Sequence, residues 1–283
     1  MPDALDTILD GLAFPEGPRW HNGRLYFSDM HSQQVVAVAA DGESEVVAQV
    51  PNDPSGLGWL PDGRMLVVSM RDRRVLRQEA DGSLAEHANL WDLAPYHCND
   101  MVIDRAGRAY VGNFGFDLHE QEKPRPTVML RVDPDGTVSV AANDLAFPNG
   151  TVITPDGATM IVGESMAGRL TAFRIAADGT LHDRRVFAQL DGHLPDGICL
   201  DASGAVWSAC PLTGKVLRVA DGGEVLHVID TGRGGAFACM LGGDDRRTLY
   251  VCTASTSVPA ECKQRRDGRI EAIRVEVPGA GLP

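Results

Sequence analysis

Phe147-Pro148-Asn149-Gly150-Thr151-Val152-Ile153-Thr154-Pro155-Asp156-Gly157-Ala158-Thr159-Met160-Ile161-Val162-Gly163-Glu164 holds one unit of the pattern that decides the fold of this chain. A Pro-polar-Gly triplet leads into a short apolar run, Asp-Gly reverses the chain, and a second β-rich run follows. Asn-Gly or Asp-Gly between apolar runs is the strongest short-range hairpin signal. The triplet recurs as Pro15-Glu16-Gly17, Pro54-Ser55-Gly56, Cys98-Asn99-Asp100, Pro195-Asp196-Gly197 and, more weakly, Gly235-Ala236-Phe237. Its central position falls at 16, 55, 99, 149, 196 and 236, in steps of 39, 44, 50, 47 and 40 residues. Periods of about 40–50 residues mark blade repeats.

The tails of the repeats supply the strands. Residues 24–29, 64–69, 108–113, 159–164, 205–210 and 248–253 are short, β-rich and similarly phased, and each follows a turn signal such as Asn22-Gly23, Asp62-Gly63 or Ser203-Gly204. A further segment then runs to another turn, as in 34–38 before Asp41-Gly42 and 168–173 before Asp178-Gly179. No segment carries a sustained helical period. The expected fold is all-β: a six-bladed β-propeller over residues 1–283 as one domain, with four-stranded antiparallel blades around a central channel.

Composition excludes several classes. Net charge is −13, from 26 basic and 39 acidic residues, which opposes a nucleic-acid surface because phosphate binding needs clustered Lys and Arg. The start, Met1-Pro2-Asp3-Ala4-Leu5-Asp6, carries acids where a secretory signal carries Lys or Arg, and no apolar run of membrane-spanning length follows. A cytoplasmic protein with no membrane partner is expected, and nothing in the sequence sets an oligomeric state. Six cysteines occur without a C-x-x-C pair, so zinc-finger chemistry is not indicated; Cys98, beside Asn99, is read as a packed thiol near the site.

If the strand after each triplet is innermost, the six central residues converge on one axis. Glu16, Asn149 and Asp196 then offer three hard oxygen donors and a formal charge of −2, which suits a divalent cation. Carboxylates without a counter-charge in a narrow channel repel one another and are poorly solvated. The alternative is a purely structural hydrogen-bonded ring, with which Ser55 and Ala236 are compatible.

Phe14-Pro15-Glu16-Gly17-Pro18, Asn99-Asp100, Phe147-Pro148-Asn149-Gly150 and Pro195-Asp196-Gly197, in this order and spacing, closely resemble the SMP-30/gluconolactonase/LRE family, also called regucalcin-like. The resemblance runs from about residue 12 to the last repeat. It implies a six-bladed propeller whose central divalent metal is held by Glu16, Asn149 and Asp196, with calcium first and zinc, manganese, magnesium or iron as the others. It also implies a lactonase acting on a small-molecule lactone, in which Asp196 helps to activate water while the metal polarises the carbonyl; an Asp196 that only ligates is the competing mechanism.

The resemblance marks the third repeat as substrate-facing. Asn99 matches a substrate-contacting Asn, and His97 stands where sugar-lactone enzymes of the animal branch carry an Arg. Asp117 falls, by position, where those relatives have an acidic substrate contact. His97, with Tyr96, Phe114 and Phe116 nearby, points toward a less sugar-like, aromatic or alkyl-substituted lactone, the alternative being aromatics that only cover the rim of the barrel. The long insertion 114–126 reads as a lid or ligand-binding segment, and His119, Glu120 and Glu122 within it as a solvated cluster or a second metal site. Asp29 and Glu164 are expected in rim or hydrogen-bonding roles, and Trp20, Trp59 and Trp207 in blade packing. Rival functions are organophosphate or other ester hydrolysis on the same metal, and a non-catalytic metal-binding regulatory propeller.

Overall fold

The computed structural model describes residues 4–283 except 40, 41, 119, 121 and 233, so Asp41 of one turn signal and His119 of the suggested second metal cluster lie outside the described residues. Each repeat begins with an inner strand: Pro15–His21, Pro54–Trp59, Cys98–Ile103, Pro148–Ile153, Ile198–Asp201 and Gly235–Gly242. From each, an antiparallel meander runs outward; in the first blade Pro15–His21, Arg24–Asp29, Gln34–Val38 and Ser44–Gln49 pair in that order. Every inner strand packs against the next, and the sixth against the first, so the blades form a closed ring. The protein is a six-bladed β-propeller.

Closure comes from the chain ends. The sixth blade takes its outermost strand from the N-terminal Asp6–Leu12, which pairs antiparallel with Gly268–Arg274. Hydrogen bonds between the first and last long strands therefore hold the ring shut. Gly279–Ala280 adds a fifth strand beside Ile198–Asp201.

The recurring triplets are bulges. Strand register shifts between Glu16 and Arg19, Pro54 and Leu57, Cys98 and Met101, Pro148 and Thr151, and Ala236 and Ala238. In the fifth blade pairing starts only at Ile198, after the triplet. A bulge twists its strand and re-aims a side chain, which is how the central triplet residue turns toward the channel mouth. The triplet glycine has a different task. A Cβ on Gly56 would lie 2.3 Å from the Met101 nitrogen, one on Gly150 2.4 Å from the Ile198 nitrogen, and one on Gly197 2.4 Å from the Ala238 Cβ. These positions face the inner strand of the next blade, and only a hydrogen fits between the backbones.

The third blade breaks the rule and shows what replaces it. Asp100 stands where the other strong triplets have glycine, and its buried carboxylate pairs with Arg19, which is 3% exposed. Arg19 also donates to the carbonyls of Leu57 at 3.0 Å, Pro18 at 2.8 Å and Met101 at 2.7 Å, joining three blades beneath the channel.

Asp29 and Glu164 have the hydrogen-bonding role expected of them, although both are buried rather than placed on the rim. Asp29 Oδ1 accepts from the Ala13 and Phe14 nitrogens at 3.0 and 2.8 Å. Glu164 accepts from the Ala146 nitrogen at 2.8 Å and pairs with Arg169 and Arg184. Each fixes the chain just before a triplet. Trp20 stacks on Tyr250 and Trp59 on His21, while Trp207 is 2% exposed in the core. One element escaped the sequence reading: a helix, Pro259–Arg265, set between the second and third strands of the last blade. Seven residues are too few to display a helical period. Among the described residues no helix is long and apolar enough to cross a membrane.

The glycine contacts set a stability test. Gly56→Ala is expected to destabilise by about 2–4 kcal/mol, because the obstacle is neighbouring backbone and not a rotatable side chain. Gly63→Ala has no atom within 4 Å of the new Cβ and is expected to cost only its left-handed backbone, about 1–2 kcal/mol. Urea midpoints of the two variants measure the difference; equal losses would remove the close-approach role.

Candidate active site

A cavity of about 730 Å³ opens at one end of the channel. Glu16, Asn99, Asn149 and Asp196 line it, and so do His97 and Asp117, so these six expected site residues border one space. Ser55 and Ala236, the two small residues of the ring, are 2% and 0% exposed.

The polar residues are held by neighbours in the same ring. Ser55 Oγ donates to Asn99 Oδ1 at 3.3 Å, which leaves the Asn99 NH2 as the group available to a ligand. Asn149 Nδ2 donates to Ser165 Oγ at 3.2 Å, and Ser165 Oγ donates to the Pro195 carbonyl at 2.6 Å. Glu16 Oε2 accepts from the Gly17 nitrogen at 2.8 Å. The Asp196 backbone is tied to three blades: its nitrogen donates to Ala209 O at 2.9 Å, its carbonyl accepts from Gly150, and Gly197 N donates to Phe237 O.

The electrostatics of this end are unbalanced. Burial pushes the Glu16 carboxyl well above the usual carboxylate range, and Asp196 and Asp100 add to the rise against the Gly17 N–H. Burial and Asp100 push Asp196 up to about 8, with a hydrogen bond from Asn149 opposing them. The nearest cation, Arg19, is committed to Asp100 and three carbonyls. Two buried carboxylates without an adequate counter-charge, beside an amide oxygen, are a donor set that fits a hard divalent cation. The set has only two acidic members; among the described residues no group of three His, Cys, Asp or Glu is arranged to hold a metal.

The insertion folds against the mouth. Tyr96 OH donates to Asp117, and burial with that carboxylate pushes the Tyr96 hydroxyl up to about 12. Asp117 Oδ1 accepts from Glu120 N at 3.0 Å, and Arg125 Nε donates to the Gly115 carbonyl at 2.7 Å. Asp117 therefore shapes the loop as well as facing the cavity. The His97 ring stacks on Tyr96 at 4.1 Å and meets Phe114 edge-on at 6.1 Å. Phe14, Phe114, Phe147, Phe237, Met30 and Met70 are among the apolar side chains of the cavity wall.

Three ionisable cavity residues were not singled out from the sequence: His31, Asp53 and Arg71. Asp53 immediately precedes the second triplet, while His31 and Arg71 each lie two residues beyond the second strand of their blade. Phe14, Asp53, His97, Phe147 and Leu194 each precede a triplet and form a second tier above it.

A family model described as "SMP-30/Gluconolactonase/LRE-like region" matches residues 14–255. The chain belongs to the SMP-30/gluconolactonase/LRE-like family. Within it, the chain is 28% identical over 266 residues to 6-deoxy-6-sulfogluconolactonase of Pseudomonas putida, covering 92% of this chain and 89% of that protein. It is 29% identical over 279 residues to pentonolactonase XacC of Haloferax volcanii, covering 95% and 92%. A crystal structure of a calcium-binding protein, regucalcin, from Agrobacterium tumefaciens superposes with a TM-score of 0.84 at 23% identity, over 100% of this chain and 97% of that one. That likeness speaks to the fold.

The raised carboxyls give a pH test on protein stripped of metal by chelator. For Asp196 the folded value is about 8 against 3.8 for the free group, and Glu16 shifts the same way. The folded state thus holds more protons than the unfolded state between these limits, so stability falls as pH rises through that window and levels off above it. A divalent cation held by these carboxylates would displace those protons, so the rise in Tm on adding calcium is expected to be larger near pH 8 than near pH 5.5. Asp196→Asn is expected to raise the Tm of chelated protein near pH 8 and to remove the calcium response. A calcium shift independent of pH would count against this donor set.

Proposed function

We propose that the protein is a divalent-metal-dependent hydrolase that opens a lactone, an esterase acting on cyclic esters. The observation that carries this reading is the buried Glu16–Asn149–Asp196 set at the closed end of a ligand-sized cavity, with the Asn99 amide beside it. Two relatives spanning most of the chain carry lactonase names, which supports the same reaction class. When bound, the cation supplies a Lewis acid for the carbonyl oxygen and makes water more acidic; calcium is the first choice for oxygen donors, with zinc, manganese, magnesium or iron as the others.

The chain's own residues do the rest. Asn99 Nδ2 donates to the substrate and orients it. Asp196, in its ionised form, accepts a proton from the water that attacks the lactone carbonyl carbon. The acyl C–O bond of the ring then breaks, and the departing ring oxygen takes that proton back to become the hydroxyl of the product acid. His97 and the Phe114 and Phe147 rings, the two rings stacked at 4.5 Å, give the cavity an aromatic wall on the side of the third and fourth blades. Both named relatives act on sugar lactones, whereas the four phenylalanines here favour a less hydroxylated, aromatic or alkyl-bearing lactone.

Purified protein is expected to release acid from a lactone panel only with divalent metal present. Asp196→Asn is expected to lower kcat by at least about 100-fold, and Asn99→Ala chiefly to raise KM. Full activity after chelation, or an active Asp196→Ala variant, would sink this reading; an organophosphate with higher kcat/KM than every lactone would change the substrate class.

A further inference from the structure

The mouth of the cavity is chemically lopsided, and the repeat register makes the asymmetry visible. The second residue beyond each blade's second strand is, in successive blades, His31, Arg71, Gly115, Met166, Leu212 and Thr256. His31, Arg71, Met166 and Leu212 all line the cavity. Around the fourth and fifth blades the rim is apolar: Met166 is 37% and Leu212 78% exposed, joined by Val258 at 43%. Around the first and second blades it is polar.

Asp53 organises the polar side. It is 1% exposed and adopts a left-handed backbone conformation, φ 63°, immediately before the second triplet. Such a conformation is uncommon for a residue with a side chain and is retained where surrounding contacts require it. Asp53 Oδ2 receives Arg71 Nη2 at 2.7 Å and faces His31 Nδ1 at 3.5 Å. Its Oδ1 receives Gln33 Nε2 at 3.5 Å. Although burial works the other way, His31 and Arg71 hold the Asp53 carboxyl below the usual range, so it stays an anion beneath the guanidinium.

Arg71 is the single Lys or Arg among the described residues that line the cavity. Asp53 is the one acid paired with its guanidinium there, through Nη2, and the side chain is 44% exposed. An arginine clamped at one corner by a buried carboxylate keeps its charge in place while its other N–H groups face a ligand. Most other ionisable groups on the wall are acidic: Glu16, Asp117, Glu120 and Asp196.

We propose that Arg71, positioned by Asp53, selects lactones that carry an anionic substituent, a carboxylate in the simplest case, at the end remote from the ring carbonyl. The lactone ring goes toward Asp196, the apolar stem lies along Phe14, Met30 and Met70, and the carboxylate meets Arg71 at the polar rim. The naming of the ring as a lactone rests on the proposed function; the recognition of the anion does not.

The test is therefore made by binding as well as by turnover. Calorimetry on the intact, calcium-loaded protein uses a cyclic ether bearing a carboxymethyl group, which lacks the reactive carbonyl, and its carboxamide as the neutral partner. Wild type is expected to bind the carboxylate about ten-fold more tightly than the amide, as a charge-assisted hydrogen bond of this type allows. The preference is expected to weaken with salt, to vanish in Arg71→Met and to survive in part in Arg71→Lys, whose retained charge also guards against misfolding. Among hydrolysed lactones, Arg71→Met is expected to raise KM for the carboxymethyl lactone and leave KM for its amide and both kcat values close to wild type. Equal binding of the two ethers, no binding of either, or a carboxylate preference that persists in Arg71→Met overturns the inference. Loss of lactone turnover with the binding preference intact would instead overturn the proposed function.

Discussion

The close approach of six inner strands around one axis is the constraint on which the rest of this structure depends. Backbone meets backbone at Gly56 against Met101, Gly150 against Ile198 and Gly197 against Ala238, with no room for a methyl group. Such packing draws the preceding residues of far-separated repeats into one ring. It also explains why the motif couples a variable residue to a nearly constant glycine: the first is presented to the channel, and the second permits the distance at which it is presented. Where glycine is absent in the third repeat, Asp100 is accommodated by a buried ion pair to Arg19 that spans three blades.

That geometry creates an electrostatic cost. Bringing Glu16 and Asp196 together away from water favours their protonated forms, and Arg19 is too fully engaged to compensate. A buried charge left without a partner is strongly destabilising, so a channel of this kind is stabilised by whatever cation it admits. Binding and stability are linked at this end, while the closing strand Asp6–Leu12 holds the ring together from its outer edge. The scaffold can thus keep a strained charge arrangement at its centre because its rigidity comes from elsewhere, namely paired strands and apolar blade interfaces.

The mouth follows a different logic from the ring beneath it. Here the repeat supplies equivalent positions but not equivalent chemistry: Arg71 and His31 on one side, Met166 and Leu212 on the other. In the proposed reading the ring supports the reaction and the mouth selects the molecule that enters. Asp53 connects the two levels, since its backbone leads directly into the second triplet while its carboxylate anchors the rim. The short helix Pro259–Arg265 packs beside Met30–Ser32 and brings Pro259, with the preceding Ser257 and Val258, to the same opening.

The sequence by itself determined the blade count, the inner strands and the candidate metal set, because these are written locally: an Asn-Gly or Asp-Gly turn, a short apolar run and a triplet at a steady interval. Asn99, His97 and Asp117 were also legible, through family likeness to the third repeat. The bulges, the Asp100–Arg19 pair and the Asp53–Arg71 rim were not. Arg19 and Asp100 are 81 residues apart, and no local pattern announces that one will neutralise the other. Asp29 and Glu164 looked like strand ends and proved to be buried staples, since strand position alone does not say which carboxylates lose their water. Only tertiary structure decides burial, and burial raises the Glu16 and Asp196 carboxyls while the placement of neighbouring charges keeps Asp53 ionised.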